Sequence, residues 1–249
     1  MPERGAALLI DIGNSRVKWG WASQGRITPG EPFPTQASLD EFPRRWRDAL
    51  APAQVVVANV AGNGIGDRLK AFTKQRWGLA PRFVYSQAQA FGIINGYTNP
   101  EKLGVDRWLA LIGARHAGPG PVCVADCGTA LTVDALDAEG LHLGGLIAPG
   151  LALMRAALAR GTHALPLADS DAEGGLAHDT AAAIESGTRQ AAAGLVERAF
   201  RETARRLGAA PRLLLTGGDA PAVGADLEIP YDIKPELVLE GLYMVAQGN

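Results

Sequence analysis

Asp11–Trp19, reading DIGNSRVKW, follows directly on the apolar run Ala6–Ile10. A run of that kind forms a buried strand, and an Asp at its end carries a desolvation cost that a ligand or cation must offset. Gly13 lets the backbone approach a ligand closely, and Asn14 and Ser15 are turn formers with amide and hydroxyl donors. Lys18 then lies on a second strand, VKWGWA, which returns antiparallel to the first. The pair reads as a hairpin gripping an anion, with phosphate plus a metal as the favoured occupant. Most Asp-Gly turns between two strands are only hairpins, so this motif does not decide alone.

Val122–Asp134, VCVADCGTALTVD, repeats the logic: an apolar strand ends in Asp126 and turns through Gly128 and Thr129 into another strand. Arg212–Ala220, RLLLTGGDA, adds a late strand followed by Gly217 and Gly218. The duplicated strand–Asp–Gly–Thr/Ser–strand pattern resembles the acetate and sugar kinase, Hsp70 and actin superfamily. That resemblance implies an α/β protein of two ribonuclease-H-like lobes, the actin-like ATPase fold. Mixed sheets flanked by helices would hold ATP in the cleft between the lobes.

Between these turns, NGYTNP (Asn95–Pro100) and LGVDRW (Leu103–Trp108) precede GGLIAPG (Gly144–Gly150) and the helical LALMRAAL. Together they resemble the type III pantothenate kinases, from Asp11 to Asp219 in the family's order. Ser15 stands where Thr is frequent and Cys127 takes the variable position after Asp126, and neither change removes a needed group. The resemblance implies an ATP-dependent phosphorylation of pantothenate to 4′-phosphopantothenate, the first step of coenzyme A biosynthesis. It also implies Mg2+ with ATP, a monovalent cation (K+ or NH4+), a homodimer, and neither nucleic acid nor membrane as partner.

Carried over residue by residue, Asp11, Ile12, Gly13, Asn14, Ser15, Arg16, Val17 and Lys18 form the first phosphate loop. Gly128 and Thr129 form the second, and Gly217 and Gly218 the loop at the nucleoside end. With no GxxxxGK[ST] anywhere, backbone N–H groups and the Ser15 and Thr129 hydroxyls would donate to phosphate. Asp11 would hold magnesium directly or through its waters, and Asp126 the monovalent cation. Pantothenate offers a primary hydroxyl and a carboxylate, which calls for one base and one planar cation. Asp106 would be the base and Arg107 the anchor, with Tyr97, Gly104 and Val105 shaping the pocket. A bare Asp-Arg pair opening a helix is usually a cap and a surface ion pair. Thr180, in GLAHDTAAAIESG, resembles the family's pantothenate-contacting Thr near the partner subunit, although an N-cap Thr is more often structural.

Composition narrows the field without naming a function. The chain has 249 residues, and 24 Lys+Arg against 26 Asp+Glu gives a net charge of −2, no footprint for nucleic acid. Arg44, Arg45 and Arg47 sit among acids on a solvated helix face. Cys123 and Cys127 fit neither a CxxC nor a zinc knuckle and read as buried, inert thiols. His116, His142, His163 and His178 share no ligand spacing, and each reads as a surface or capping residue rather than a metal ligand. The start, MPERGAALLID, has too short an apolar run for a secretory signal, and Leu141–Met154 is broken by Gly and Pro. A cytoplasmic location is expected.

Periodicity predicts a helix over Leu39–Leu50, a strand over Gln54–Val60, a loop AGNGIG, and a helix over Asp67–Trp77. The glycines of that loop miss the dinucleotide fingerprint because Asp67 stands where its third glycine belongs. Further predictions are a strand Arg82–Tyr85, helices Arg107–Ala117 and Leu151–Ala159, a strand Leu141–Ile147, and Thr180–Leu207 as one long helix or two. Strand 212–216 and a terminal helix Glu236–Gln247 close the chain. The Gly/Pro cluster Gly118–Pro121 marks the expected boundary between lobes at residues 1–118 and 119–249. Three other classes fit less well. A sugar or acetate kinase has no need of LGVDRW, an ATP switch needs a longer chain, and a transcription accessory lacks a helix-turn-helix signal.

Overall fold

The computed structural model describes residues 5–163, 165–167 and 175–248. Met1–Arg4, part of the segment read against a secretory signal, lie outside the described residues. The chain forms two compact units, Met1–Ala117 with Glu236–Asn249, and Gly118–Pro235.

The first unit begins with strands β1 (Ala7–Ile12), β2 (Arg16–Ser23), β3 (Arg26–Pro29) and β4 (Phe33–Pro34). Helix α1 (Ser38–Trp46), strand β5 (Gln54–Asn59), helix α2 (Asn63–Trp77) and strand β6 (Arg82–Phe83) follow. The hairpin β7 (Gln89–Ala90) and β8 (Ile93–Ile94) then leads to helix α3 (Val105–His116). The sheet runs β3-β2-β1-β5-β6, with β4 also on β2. β1 is antiparallel to β2 and parallel to β5, which makes it central and buried along its whole length. Leu8, Ile10 and Ile12 alternate onto one face and pack with Val17, Trp19, Val55, Val57, Phe42, Trp46 and Leu69. Asp11 therefore points to the opposite face, and Lys18, its cross-strand partner in register, shares that face.

The second unit holds strands β9 (Val122–Cys127), β10 (Ala130–Leu136) and β11 (His142–Pro149), then helices α4 (Leu151–Gly161) and α5 (Thr180–Leu207). Strand β12 (Arg212–Thr216), helix α6 (Ala220–Gly224) and strand β13 (Asp232–Ile233) complete it. Its sheet runs β11-β10-β9-β12-β13, again two antiparallel pairings followed by two parallel ones. The duplication seen in two turns thus extends to strand order, which is third, second, first, fourth, fifth in both units once the short side strand β4 is left out of the count. Cys123, Ala125, Cys127, Leu131 and Val133 pack against Ala192, Ala193 and Val196 of α5 and Val223 of α6.

Helix α7 (Leu237–Gln247), read from the sequence as the end of the second lobe, belongs to the first unit, packing on α3, β1 and β5. Close approach explains its seat. A Cβ on Gly241 would lie 2.1 Å from the Leu109 carbonyl oxygen, and one on Gly113 2.4 Å from that of Leu237.

Several boundaries differ from expectation for local reasons. α1 stops at Trp46, and Leu50 is exposed beyond it. The AGNGIG segment is not all loop. Gly62, at φ 93°, and an Asn59 side chain bonded to Ala61 N and Gly62 O turn the chain so that α2 starts at Asn63. α3 starts two residues early, at Val105, after the extended Gly104. β11 runs on to Pro149, which an edge strand tolerates. Asp179, not Thr180, caps α5, its Oδ1 accepting from Ala182 N at 2.9 Å. Among the described residues no helix is long and apolar enough to cross a membrane.

Candidate active site

The Asp11–Lys18 turn is closed by Gly13 N donating to Arg16 O at 3.0 Å. Thr35, a residue the sequence did not flag, buttresses it from outside. Its Oγ1 donates to Gly13 O at 2.7 Å and its N–H to Ser15 O at 3.0 Å. Asn14, Ser15 and Arg16 are exposed, whereas Ile12 and Val17 are core residues, so only their backbone can face a ligand. Asp11 is 7% exposed, so its carboxylate does carry the desolvation cost that its place at the end of an apolar run implies. Lys18 is half-buried on the same face. Burial raises the Glu236 carboxyl above its ordinary value, opposed by the pull of the Lys18 ammonium.

In the second unit Gly128 N donates to Ala130 O at 3.1 Å, closing the Asp126–Thr129 turn and leaving Thr129 exposed and Asp126 half-buried. Two glycines hold this turn by having no side chain. A Cβ on Gly217, whose φ is 94°, would lie 2.3 Å from Cys127 O and 2.6 Å from Asp126 Oδ1. A Cβ on Gly150 would lie 2.1 Å from Gly128 O, and Gly150 N donates to Thr129 O at 3.0 Å. Asp219 N donates to Cys127 O at 2.9 Å. The Asp126–Thr129 turn and the Gly217–Gly218 loop are therefore one cluster. Gly150, not among the candidate site residues read from the sequence, is part of it. Cys127 beneath the turn is pushed up to about 12 by burial and Cys123 to about 11, as inert thiols should be.

The third cluster lies on the first turn of α3. Arg107 is 6% exposed, its Nη1 donates to Tyr97 Oη at 2.8 Å, and its guanidinium carbon lies 5.5 Å from the Tyr97 ring centre. Asp106, half-buried, accepts from Arg107 N at 2.8 Å. Gly104 keeps that carboxylate uncrowded, since a Cβ there would lie 2.6 Å from Asp106 Oδ1. Val105 is buried and supports the helix start. Tyr97, Gly104, Asp106 and Arg107 thus come together in the first unit. Thr180 is exposed at the first turn of α5 in the second unit.

Among the described residues no group of three or more His, Cys, Asp or Glu is placed to hold a metal. A magnesium ion held by one carboxylate, waters and substrate phosphates needs no such group. His142 departs from the expectation of a surface or capping residue. It is buried, and its Nε2 lies 2.8 Å from Asp134 Oδ1 across the β10–β11 hairpin, where a register shift brings the two together.

Residues 7–202 match the family described as Type III pantothenate kinase. The chain belongs to the type III pantothenate kinase family. A type III pantothenate kinase from Burkholderia thailandensis is 41% identical, covering 98% of this chain and 99% of its own. Another from Nitrosococcus oceani is 37% identical, covering 97% and 94%. In fold, the activator of the 2-hydroxyisocaproyl-CoA dehydratase from Clostridium difficile, solved with bound ADPNP, matches with a TM-score of 0.54. It shares 13% identity and covers 97% of this chain and 95% of its own. The fold of this type III pantothenate kinase family member is the actin-like ATPase fold, with two mixed sheets flanked by helices.

Proposed function

We propose that this chain transfers the γ-phosphoryl group of ATP to the primary hydroxyl of pantothenate, giving 4′-phosphopantothenate, the first step of coenzyme A biosynthesis. The observation that carries the reading is the first turn of α3, where a half-buried carboxylate, Asp106, adjoins a buried guanidinium fixed on Tyr97. Asp106 accepts the proton of the attacking hydroxyl. Arg107 binds pantothenate oxygens, most naturally the carboxylate, because a planar fork of N–H donors matches it. Phosphoryl transfer has a loose transition state, so positioning and charge neutralisation outweigh base strength, and Asp106 orients as much as it deprotonates.

Each Asp-Gly turn offers backbone N–H donors suited to phosphate oxygens, with the Ser15 hydroxyl and the Lys18 charge beside the first turn and the Thr129 hydroxyl beside the second. Gly217 and Gly218 meet the nucleoside end. Asp11 would hold Mg2+ directly or through water, and the ion would supply charge neutralisation at the phosphates. Asp126, half-buried and packed so closely on Gly217 that a Cβ there would lie 2.6 Å from its Oδ1, would hold the monovalent cation, K+ or NH4+. Thr180, exposed at the start of α5, offers a hydroxyl to pantothenate in a homodimer. Leu146 and Ile147 of β11, at 44% and 66% exposure, and Leu153 and Leu158 of α4 give that homodimer an apolar face. Two buried free thiols suit a cytoplasmic setting.

A coupled ADP-release assay tests the reading, with pantothenate present and absent and with sugars and acetate as rival acceptors. Pantothenate-dependent release is expected. Release that follows a sugar or acetate instead would assign a different kinase of the same fold.

A further inference from the structure

We infer that Asn95 is a positioning residue for the acceptor substrate, presenting Tyr97 and through it Arg107. The inference rests on the pantothenate reading above and names what holds that pocket's shape. Asn95 is 8% exposed and begins the NGYTNP segment between β8 and α3. Its Nδ2 donates to Gln87 O and to Pro100 O, both at 3.1 Å, and its Oδ1 accepts from Tyr97 N at 3.0 Å. Its own backbone N–H donates to Ala88 O at 2.9 Å.

Two carbonyls facing one side of the amide and an N–H facing the other fix which atom is nitrogen. One buried side chain thereby ties the segment just before β7, the start of the loop and its far end at Pro100. Only an amide can do this, because the site requires two donors and one acceptor on one planar group. A carboxylate lacks the donors, and a hydroxyl lacks the span.

The bond to Tyr97 N sets where the tyrosine leaves the backbone. The ring then sets the guanidinium, since Tyr97 Oη accepts from Arg107 Nη1. Asn95 thus reaches the substrate's anchor through two hydrogen bonds without lining the pocket itself. A shift at Asn95 moves the cation that recognises the acceptor and leaves both phosphate turns in place.

Asn95→Asp keeps the acceptor for Tyr97 N–H, loses both donors and sets a carboxylate against two carbonyl oxygens. Steady-state kinetics should show a KM for pantothenate raised about tenfold, with kcat and the KM for ATP within about twofold of wild type. In a Tyr97→Ala background the same substitution should add less than about twofold, because groups acting in series do not contribute independently. If Asn95→Asp does not fold, Asn95→Ser read the same way decides the matter. An unchanged pantothenate KM, an equal rise in both KM values, or full additivity with Tyr97→Ala would overturn the inference. Wild-type protein without pantothenate-dependent turnover would instead overturn the functional reading.

Discussion

Gly150→Ala isolates the second phosphate turn by a purely steric route. Gly150 has φ −72° and ψ 172°, backbone that any residue adopts. At such a site Gly→Ala ordinarily stabilises by about 0.4–1 kcal/mol, by restricting the unfolded chain. Here the new Cβ would stand 2.1 Å from Gly128 O and 2.7 Å from Thr129 O, both backbone atoms with no side-chain freedom to yield. The gap between 2.1 Å and an ordinary 3.4 Å contact requires a retreat of about 1.3 Å. That retreat stretches the 3.0 Å bond from Gly150 N to Thr129 O and displaces the Gly128 and Thr129 N–H groups from the phosphates we propose that they bind. A misplacement of about 1 Å in a positioned group costs about 100-fold in rate, or about 2.7 kcal/mol of barrier. Steady-state kinetics with ATP varied at saturating pantothenate should show that loss in kcat/KM for ATP, with pantothenate KM little changed. Circular dichroism should report a folded protein of lower Tm. A folded Gly150→Ala protein with wild-type ATP kinetics would refute the assignment of this turn to phosphate.

Asp11→Asn should lower turnover steeply and raise the magnesium needed for half-maximal rate, measured by titrating Mg2+ at fixed ATP. Because Asp11 is buried, its Tm must be recorded alongside. Asp106→Asn should depress kcat and leave pantothenate KM within several-fold. Arg107→Ala should mainly raise that KM, by the equivalent of about 1.5–3 kcal/mol for a charge-assisted bond, so reversed phenotypes would exchange the two roles. Neither cysteine should react with iodoacetamide in native protein at pH 8, and both should in denaturant. Cys127, at about 12 against an ordinary 9.0, stays protonated between those pH values while the unfolded chain ionises. Stability should therefore fall as pH rises above about 9, read by urea titration at stepped pH.

The two Asp-Gly turns were legible because each places a carboxylate and a glycine at the end of an apolar run, a local pattern that tertiary context did not override. The bounds of α5 and of strand 212–216 were legible to the residue because clear stops flank them, whereas the sequence left α5 open as one helix or two and the structure shows one. The seat of α7 was not legible. Its apolar face suits either sheet, and the choice rests on Gly113 and Gly241 admitting a close helix contact far away in sequence. Gly150 and Thr35 were missed because their roles are contacts with backbone atoms of turns remote in the chain. His142 was misjudged because its partner, Asp134, lies beyond a strand irregularity that no spacing rule encodes. Arg107 and Asp106 could be named as a pair by resemblance, yet the burial of the guanidinium and its bond to Tyr97 required coordinates.

The most direct test is to incubate the protein with Mg-ATP and pantothenate in potassium or ammonium salt and identify the product by mass spectrometry and phosphorus NMR. The account predicts one phosphate monoester on the primary hydroxyl for each ADP formed, with little ADP when pantothenate is omitted. ADP release independent of pantothenate, or no phosphorylated pantothenate under any monovalent salt, would contradict it.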